Sequence, residues 1–360
     1  VVFLLEVKFV RYIEENLKEF EICGILKWHE KGYTGKGIKI AEIEEANPSL
    51  PFFDGKLHDP FGECTNAILN GHGQKVFDVM HQVAPDAELY SLPSGIISNS
   101  NNVSGDFIEK TLPYAIENNI HIINASLGGL NHLALNEKIL EAQKHGVVFT
   151  TSAGNEGQKG LSGFAKSNVW IAIGAVGWND RYGKIFLKDY SSRGPALDVV
   201  CFSGLYIHDA KNSDRVFQVE GTSFSAPMLA GMLALVQQFF LEKIGKILHQ
   251  NEMEQFIYDH VIDLGEQGFD QEYGYGLFIL PEPESIDVNK YLIYQKECDN
   301  MKIIMQIGNK TAYVDDKPVE LDVAPKIENN RTLVPLRFVA ENLGCKVEWN
   351  QNTKTITIIK

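Results

Sequence analysis

Basic residues are in short supply in this chain. Its 360 residues include 33 Lys and Arg against 47 Asp and Glu, a formal net charge of −14. Nucleic-acid binders neutralise phosphates with clustered cations, so this balance argues against one. Cysteine is sparse as well: Cys23, Cys64, Cys201, Cys298 and Cys345 form an odd set with no CxxC spacing. Neither a disulfide framework nor a zinc knuckle follows, and reduced, mostly buried thiols are expected. No apolar run is expected to supply the roughly 20 residues of a membrane span. The opening apolar stretch is interrupted by Glu6 and Lys8 and lacks a basic lead, so it does not read as a secretory signal.

What is present suits a globular α/β protein. Hydrophobic residues make up 44% and charged residues 22% of the chain, enough for one large domain and a small one. Residues 10–20 have a helical apolar stripe and are expected to form a surface helix. The β-branched run IKIAEI, residues 38–43, follows a glycine-rich turn and reads as a strand. Further strands are expected at 88–92, 120–124, 147–151 and 169–175, with helices at 107–117 and 135–144 between them. Alternation at this spacing indicates a mostly parallel sheet, whose site lies beyond the carboxyl ends of its strands. Two prolines in PEPESIDVNK suggest a linker, after which short strand patterns and one helical piece make a small α+β domain. The expected division is an N-terminal helical extension at 1–24, a large domain at 25–280, a linker at 281–300 and an accessory domain at 301–360.

The strongest chemical signal is Gly221-Thr222-Ser223-Phe224-Ser225-Ala226-Pro227, running into the apolar stretch MLAGMLALVQQFF. It places Ser223 at a helix N-terminus, where unpaired backbone N–H groups favour developing negative charge. A serine hydroxyl is a weak nucleophile until a base takes its proton. On its own the motif reads by default as a helix cap.

The flanking blocks decide between them. GYTGKG with IKIAEIE, then Asn70-Gly71-His72-Gly73, VAPDAELY, Ala125-Ser126-Leu127-Gly128-Gly129, Ser152-Ala153-Gly154-Asn155-Glu156-Gly157, YSSRGPALDV, GTSFSAP and YGYGL resemble, in order, the blocks of the subtilisin-like serine peptidases. The resemblance spans roughly residues 25–280. It implies a three-layer subtilisin-like fold and an endopeptidase acting through an acyl-enzyme. Ser223 is then the nucleophile, His72 the general base and Asn155 the oxyanion donor. Ser126, Leu127 and Gly128, with Ser152, Ala153 and Gly154, would be backbone walls along which an extended peptide pairs as an added strand.

Several departures from the family pattern stand out, among them Gln74 and Lys75 after His72-Gly73, where the family usually has Thr and His. Glu44 occupies the place of the usual triad aspartate, and its extra methylene moves the carboxylate by about 1.5 Å unless the backbone adjusts. Glu42 lies two residues earlier, within the strand; alternation puts it on the same face as Glu44, and a solvated carboxylate is the expectation for it. Glu45, Asp54 and Asp59 are weaker substitutes for the acid. The interval after His72 is too short for the calcium loop that relatives often carry, so no cofactor is expected and structural calcium is not indicated. The stretch before Gly32 is also too short for a folding prodomain, so the expectation is that one was removed or is not needed.

The tail resembles the copper amine oxidase N-terminal-like domain in Asn330-Arg331-Thr332-Leu333-Val334-Pro335-Leu336-Arg337-Phe338-Val339-Ala340-Glu341, then Leu343-Gly344 and Val347-Glu348-Trp349. Its name suggests copper, but no histidine follows His260. The resemblance implies a non-catalytic module with a cell-wall or surface partner and therefore export. The odd cysteine count and the missing signal pattern oppose that, and the compartment stays open. Two other functions remain at this stage: a pseudopeptidase or peptide-binding scaffold, and a surface-binding protein working through its tail.

Overall fold

The computed structural model describes residues 12–66, 69–92, 105–128, 133–292, 303–314, 317–328, 331–342, 346–351 and 353–359. The chain forms two compact units, Val1–Tyr291 and Leu292–Lys360.

The larger unit is built on a ten-stranded sheet. In chain order its strands are β1 (Lys39–Glu42), β2 (Leu57–His58), β3 (Glu88–Ser91), β4 (Ile122–Ala125), β5 (Val148–Ser152), β6 (Ile171–Asn179), β7 (Lys184–Leu187) and β8 (Val199–Phe202). A separate hairpin, β9 (Leu205–Asp209) and β10 (Asn212–Val219), follows, and β11 (Val261–Ile262) and β12 (Leu277–Phe278) complete the sheet. The spatial order is β11-β12-β8-β6-β5-β4-β1-β3-β2, with β7 paired to β6. Pairing along the path is parallel except for β11 with β12, and β7 is antiparallel to β6. Strand β1 lies between β3 and β4, so the chain reverses its direction of travel there. A crevice at such a switch point is where an open parallel sheet takes its ligand.

Strand alternation sends neighbouring residues to opposite layers. Ile40, Ile122 and Val148 enter one core, with α3 (His72–Val83), α6 (Thr222–Ile244) and α7 (Gln250–Asp259). Ala41, Ile123 and Phe149 enter the other, with α4 (Leu112–Glu117) and α5 (Leu133–Lys144). Residues lie buried on both faces, as expected for a parallel sheet between helix layers. Helix α6 is long and apolar enough to cross a membrane, contrary to the expectation from sequence. Its burial between the sheet and α3 accounts for that composition.

The N-terminal segment is not the surface helix expected at 10–20; its first two residues lie outside the described residues. Its described part enters the core through α1 (Leu17–Ile22), where Phe20 is 1% exposed. Asn16 is buried and donates to Gln82 Oε1 and the Tyr206 carbonyl, both at 2.8 Å, while accepting from the Tyr206 N–H. Residues 281–291, expected as linker, pack on the same unit: the Trp28 indole donates to the Pro281 carbonyl and Tyr291 OH to Asp259. The rest of that stretch, 293–300, lies outside the described residues.

The smaller unit contains a three-stranded sheet (Ile303–Ile304, Thr311–Val314, Lys317–Glu320), a two-stranded sheet (Lys326–Glu328, Arg331–Leu333) and the helix Leu336–Asn342. A hairpin, Lys346–Asn350 with Thr355–Ile359, closes it. This is the small α+β domain read from the sequence. Asn330, Leu343 and Gly344 of its motif, and Cys298 and Cys345, lie outside the described residues.

Candidate active site

Three chain segments remote in sequence meet beyond the carboxyl end of β1. Glu44 lies two residues past that strand, so the alternation argument that put it on one face with Glu42 does not extend to it. Its carboxylate faces His72, the first residue of α3, with Nδ1 at 2.7 Å from Oε1 and 2.9 Å from Oε2. Nδ1–H donates to this carboxylate, leaving Nε2 of a neutral ring as acceptor. The His72 side chain is 43% exposed and that of Glu44 15%, so the acid lies beneath the ring and the base faces solvent. Asp59, by contrast, accepts from the Glu63 and Cys64 N–H groups.

The longer acid is accommodated by backbone placement. Ser91 at the end of β3 donates to the Glu44 carbonyl at 2.6 Å. Gly73 lets α3 lie directly on the same segment: a Cβ there would fall 2.5 Å from the Glu45 carbonyl oxygen and 2.7 Å from Glu44 Cβ. Gly73→Ala is therefore expected to displace Glu44 from His72; where such a pair serves in peptide hydrolysis, a 1 Å misplacement typically lowers kcat about 10²-fold. Steady-state kinetics on a peptide substrate would check this, and unchanged kcat would mean the contact is not limiting.

Ser223 is in the first turn of α6, directly after Thr222 and before Phe224, whose ring centroid is 5.7 Å from that of His72. The helix start thus lies against the imidazole. Ser223 is half-buried, and among the described residues its hydroxyl has no hydrogen-bond partner. Gly221 leads into the helix at φ 134° and ψ 153°, a conformation favouring glycine. Its N–H donates to Tyr190 OH and Ser203 Oγ, both at 3.0 Å, and Ser203 Oγ donates back to the Gly221 carbonyl. Tyr190 opens the YSSRGPALDV block but was given no role from the sequence, and Ser203 was not flagged. A hydroxyl several strands away gives no linear signal of this role.

Asn155 is exposed beside this turn. Its Oδ1 accepts from the Thr222 N–H at 2.9 Å and from Thr222 Oγ1 at 3.1 Å. With the oxygen held, Nδ2 is turned outward as a donor. The N–H of Ser223 is likewise a first-turn group with no carbonyl four residues back inside the helix. A developing oxyanion calls for a pair of such donors beside the attacking atom.

The two expected walls differ in their hydrogen bonding. Ala153 and Gly154 are committed internally: the Ala153 carbonyl accepts from Ser162 N–H, and the Gly154 N–H donates to Thr222 Oγ1 while its carbonyl accepts from Ser192. Ser152 ends β5, pairing with Ile173 of β6. Ser126 is buried just past β4, whereas Leu127 and Gly128 make no backbone hydrogen bond among the described residues. Unpaired backbone at the end of a strand can accept an added one.

The solvated carboxylate expected at Glu42 is overturned. Glu42 is 0% exposed, and it accepts from the Ile43 and Ser126 N–H groups, each at 3.1 Å, and from the Asn124 amide. Burial, with the charge of Glu44, pushes its carboxyl well above the usual carboxylate range, against the pull of those donors. A glutamate inside the β-branched run IKIAEI was the sequence signal. What it binds could not be read there.

Among the described residues no three His, Cys, Asp or Glu side chains gather where a metal ion could sit. Cys23, Cys64 and Cys201 are buried free thiols.

Comparisons with known proteins bear on the family and the fold. Residues 62–276 match the Subtilase family, and the chain belongs to it. Residues 289–358 match the copper amine oxidase N-terminal domain, although the absence of histidine after His260 leaves that tail without imidazole ligands for copper. M-protease of Shouchella clausii is 29% identical over 252 residues, covering 64% of this chain and 64% of its own length. Subtilisin Savinase of Lederbergia lenta is 30% identical over 223 residues, 58% of this chain and 80% of its own. Subtilisin E of Bacillus subtilis is 31% identical over 231 residues, 58% and 57% respectively. The chain therefore spans less than two thirds of some of these relatives. Among solved structures, a lanthipeptide protease superposes with a TM-score of 0.59 at 18% identity, covering 74% of this chain and 93% of its own. Sphericase superposes at 0.56 and 23% identity, covering 69% and 93%. At those identities the likeness establishes the fold.

Proposed function

We propose that the chain is a serine endopeptidase. Ser223 Oγ attacks the scissile carbonyl as His72 Nε2 takes its proton, and Glu44 holds the ring through Nδ1–H and stabilises the imidazolium. Asn155 Nδ2 and the Ser223 N–H donate to the oxyanion. His72 then protonates the leaving amine, and water hydrolyses the acyl-enzyme. The substrate is an extended peptide or protein segment lying along Leu127 and Gly128, over the floor made by Ser126 and Ser152, Ala153 and Gly154. Acid, base and oxyanion donors all come from the chain itself, so this chemistry calls for no cofactor.

The observation that carries the reading is the two-oxygen contact of Glu44 with His72 Nδ1. That contact sets the tautomer a general base needs. The scaffold reading draws instead on the missing hydrogen bond between Ser223 and His72, a bond that is often long until substrate binds. A fluorophosphonate separates them: Oγ–P forms, P–F breaks, and His72 takes the hydroxyl proton. Stoichiometric labelling mapped to Ser223 at neutral pH is the expected result. A folded chain that stays unlabelled would be a scaffold.

Asn155→Ala is expected to lower kcat about 10²–10³-fold with KM little changed, the loss seen when one oxyanion donor is removed from a subtilisin. Peptide hydrolysis kinetics check it, and a loss confined to KM would move Asn155 out of the oxyanion role.

For the C-terminal unit we propose an accessory interaction module with a cell-surface partner. In support, Trp349, Ile356 and Ile358 of its terminal hairpin remain about half exposed, an apolar surface suited to a partner.

A further inference from the structure

Glu42 does no work in the mechanism above, yet its placement is costly. A fully buried carboxyl in a strand between two apolar layers would be replaced at little loss by an apolar residue of similar size, unless its hydrogen bonds matter. Those bonds converge on one place. Oε1 takes the Ser126 N–H at 3.1 Å, just where the chain leaves β4, and also the N–H of Ile43. The Asn124 amide reaches the second carboxyl oxygen and also donates to Ser126 Oγ at 2.7 Å. Asn124 Oδ1 in turn accepts from Thr150 Oγ1 of β5 at 2.8 Å. Backbone and side chain of Ser126 are therefore both anchored through one polar row crossing β1, β4 and β5. The next two residues, Leu127 and Gly128, have no backbone bond of their own among the described residues.

We infer that Glu42 is a positioning residue for the substrate groove, fixing Ser126 so that Leu127 and Gly128 are held in register for an extended peptide. The inference rests on the peptidase reading and deepens it. Glu42 touches neither the reacting atoms nor His72. Its contribution falls on peptide binding rather than on activation of Ser223.

Glu42→Leu keeps the volume and removes the acceptor. The unsatisfied Ser126 N–H should then raise KM for an extended peptide about tenfold, while fluorophosphonate labelling of Ser223, which needs no peptide in the groove, slows by less than KM rises. Glu42→Gln keeps an acceptor for the Ser126 N–H, but its NH2 can pair with Asn124 only if the Asn124 amide flips and the Thr150 and Ser126 hydroxyls exchange roles, so it should recover part of the lost KM. If Glu42→Leu does not fold, Asn124→Ser shortens the same link and should raise KM in the same direction. An unchanged KM in a folded Glu42→Leu or Asn124→Ser variant overturns the inference. So does labelling that falls in step with KM, which marks a general loss of structure, or a Gln variant as impaired as Leu. Wild-type protein measured alongside separates the two readings. A wild type that neither labels nor cleaves ends the peptidase reading and this inference with it; one that does both, beside a Glu42→Leu variant with normal KM, ends this inference alone.

Discussion

Ser223→Ala is expected to lower kcat on a quenched peptide substrate by about 10⁶, the scale of removing the nucleophile from a subtilisin. The loss should appear in kcat with KM little moved, because the hydroxyl contributes to the transition state far more than to peptide binding. The geometry supports a loss of this size. The Gly221 peptide is clamped by Tyr190 and Ser203, Thr222 is tied to Asn155, and the start of α6 is set against the His72 ring. Fluorophosphonate labelling should vanish in the same variant. A fall in kcat of less than tenfold would assign the attack to another group.

The Glu44 series has the next largest expected effect. Glu44→Ala should lower kcat about 10⁴-fold, since losing the acid's hold on the ring leaves His72 in the wrong tautomer. Glu42→Ala should cost kcat far less. Equal losses would remove Glu44 from the triad. Glu44→Asp is the sharper measurement, and the structure predicts its sign. The Glu44 carbonyl is held by Ser91 and its Cβ lies against the space above Gly73, so the backbone cannot advance to follow a shorter side chain. Aspartate would stop about 1.5 Å short of Nδ1 and lose about 10²-fold in kcat. An aspartate variant faster than wild type would show that the acid is mis-sized and the backbone free to adjust.

Much of this was legible in one dimension. The strands predicted around 40, 90, 122, 149 and 172 depend on runs of β-branched residues, and they appear within a few residues of their predicted ends. Ser223 stood out because a glycine, two hydroxyl residues and Ala-Pro open a long apolar helix. Glu44 was singled out by its place in the family pattern, where an aspartate is usual. Glu42 was misread. Strand alternation says which face a side chain takes, but not whether that face is wet, and this one is covered by the layer containing α3 and α6. The helix at 10–20 was misjudged for a related reason: its apolar stripe matched a surface helix, whereas Asn16 finds its partners on Gln82 and Tyr206, far along the chain.

Local patterning, then, determined the kinds of element, their order and the chemical types gathered in the candidate site, because backbone preferences and side-chain periodicity act over a few residues. Tertiary structure decided that the Glu44 carboxylate meets His72 Nδ1, that Ala153 and Gly154 have their backbone bonded internally, and why Glu42 is buried. Those outcomes depend on distances of an ångström or two between segments tens to hundreds of residues apart, and only packing sets such distances.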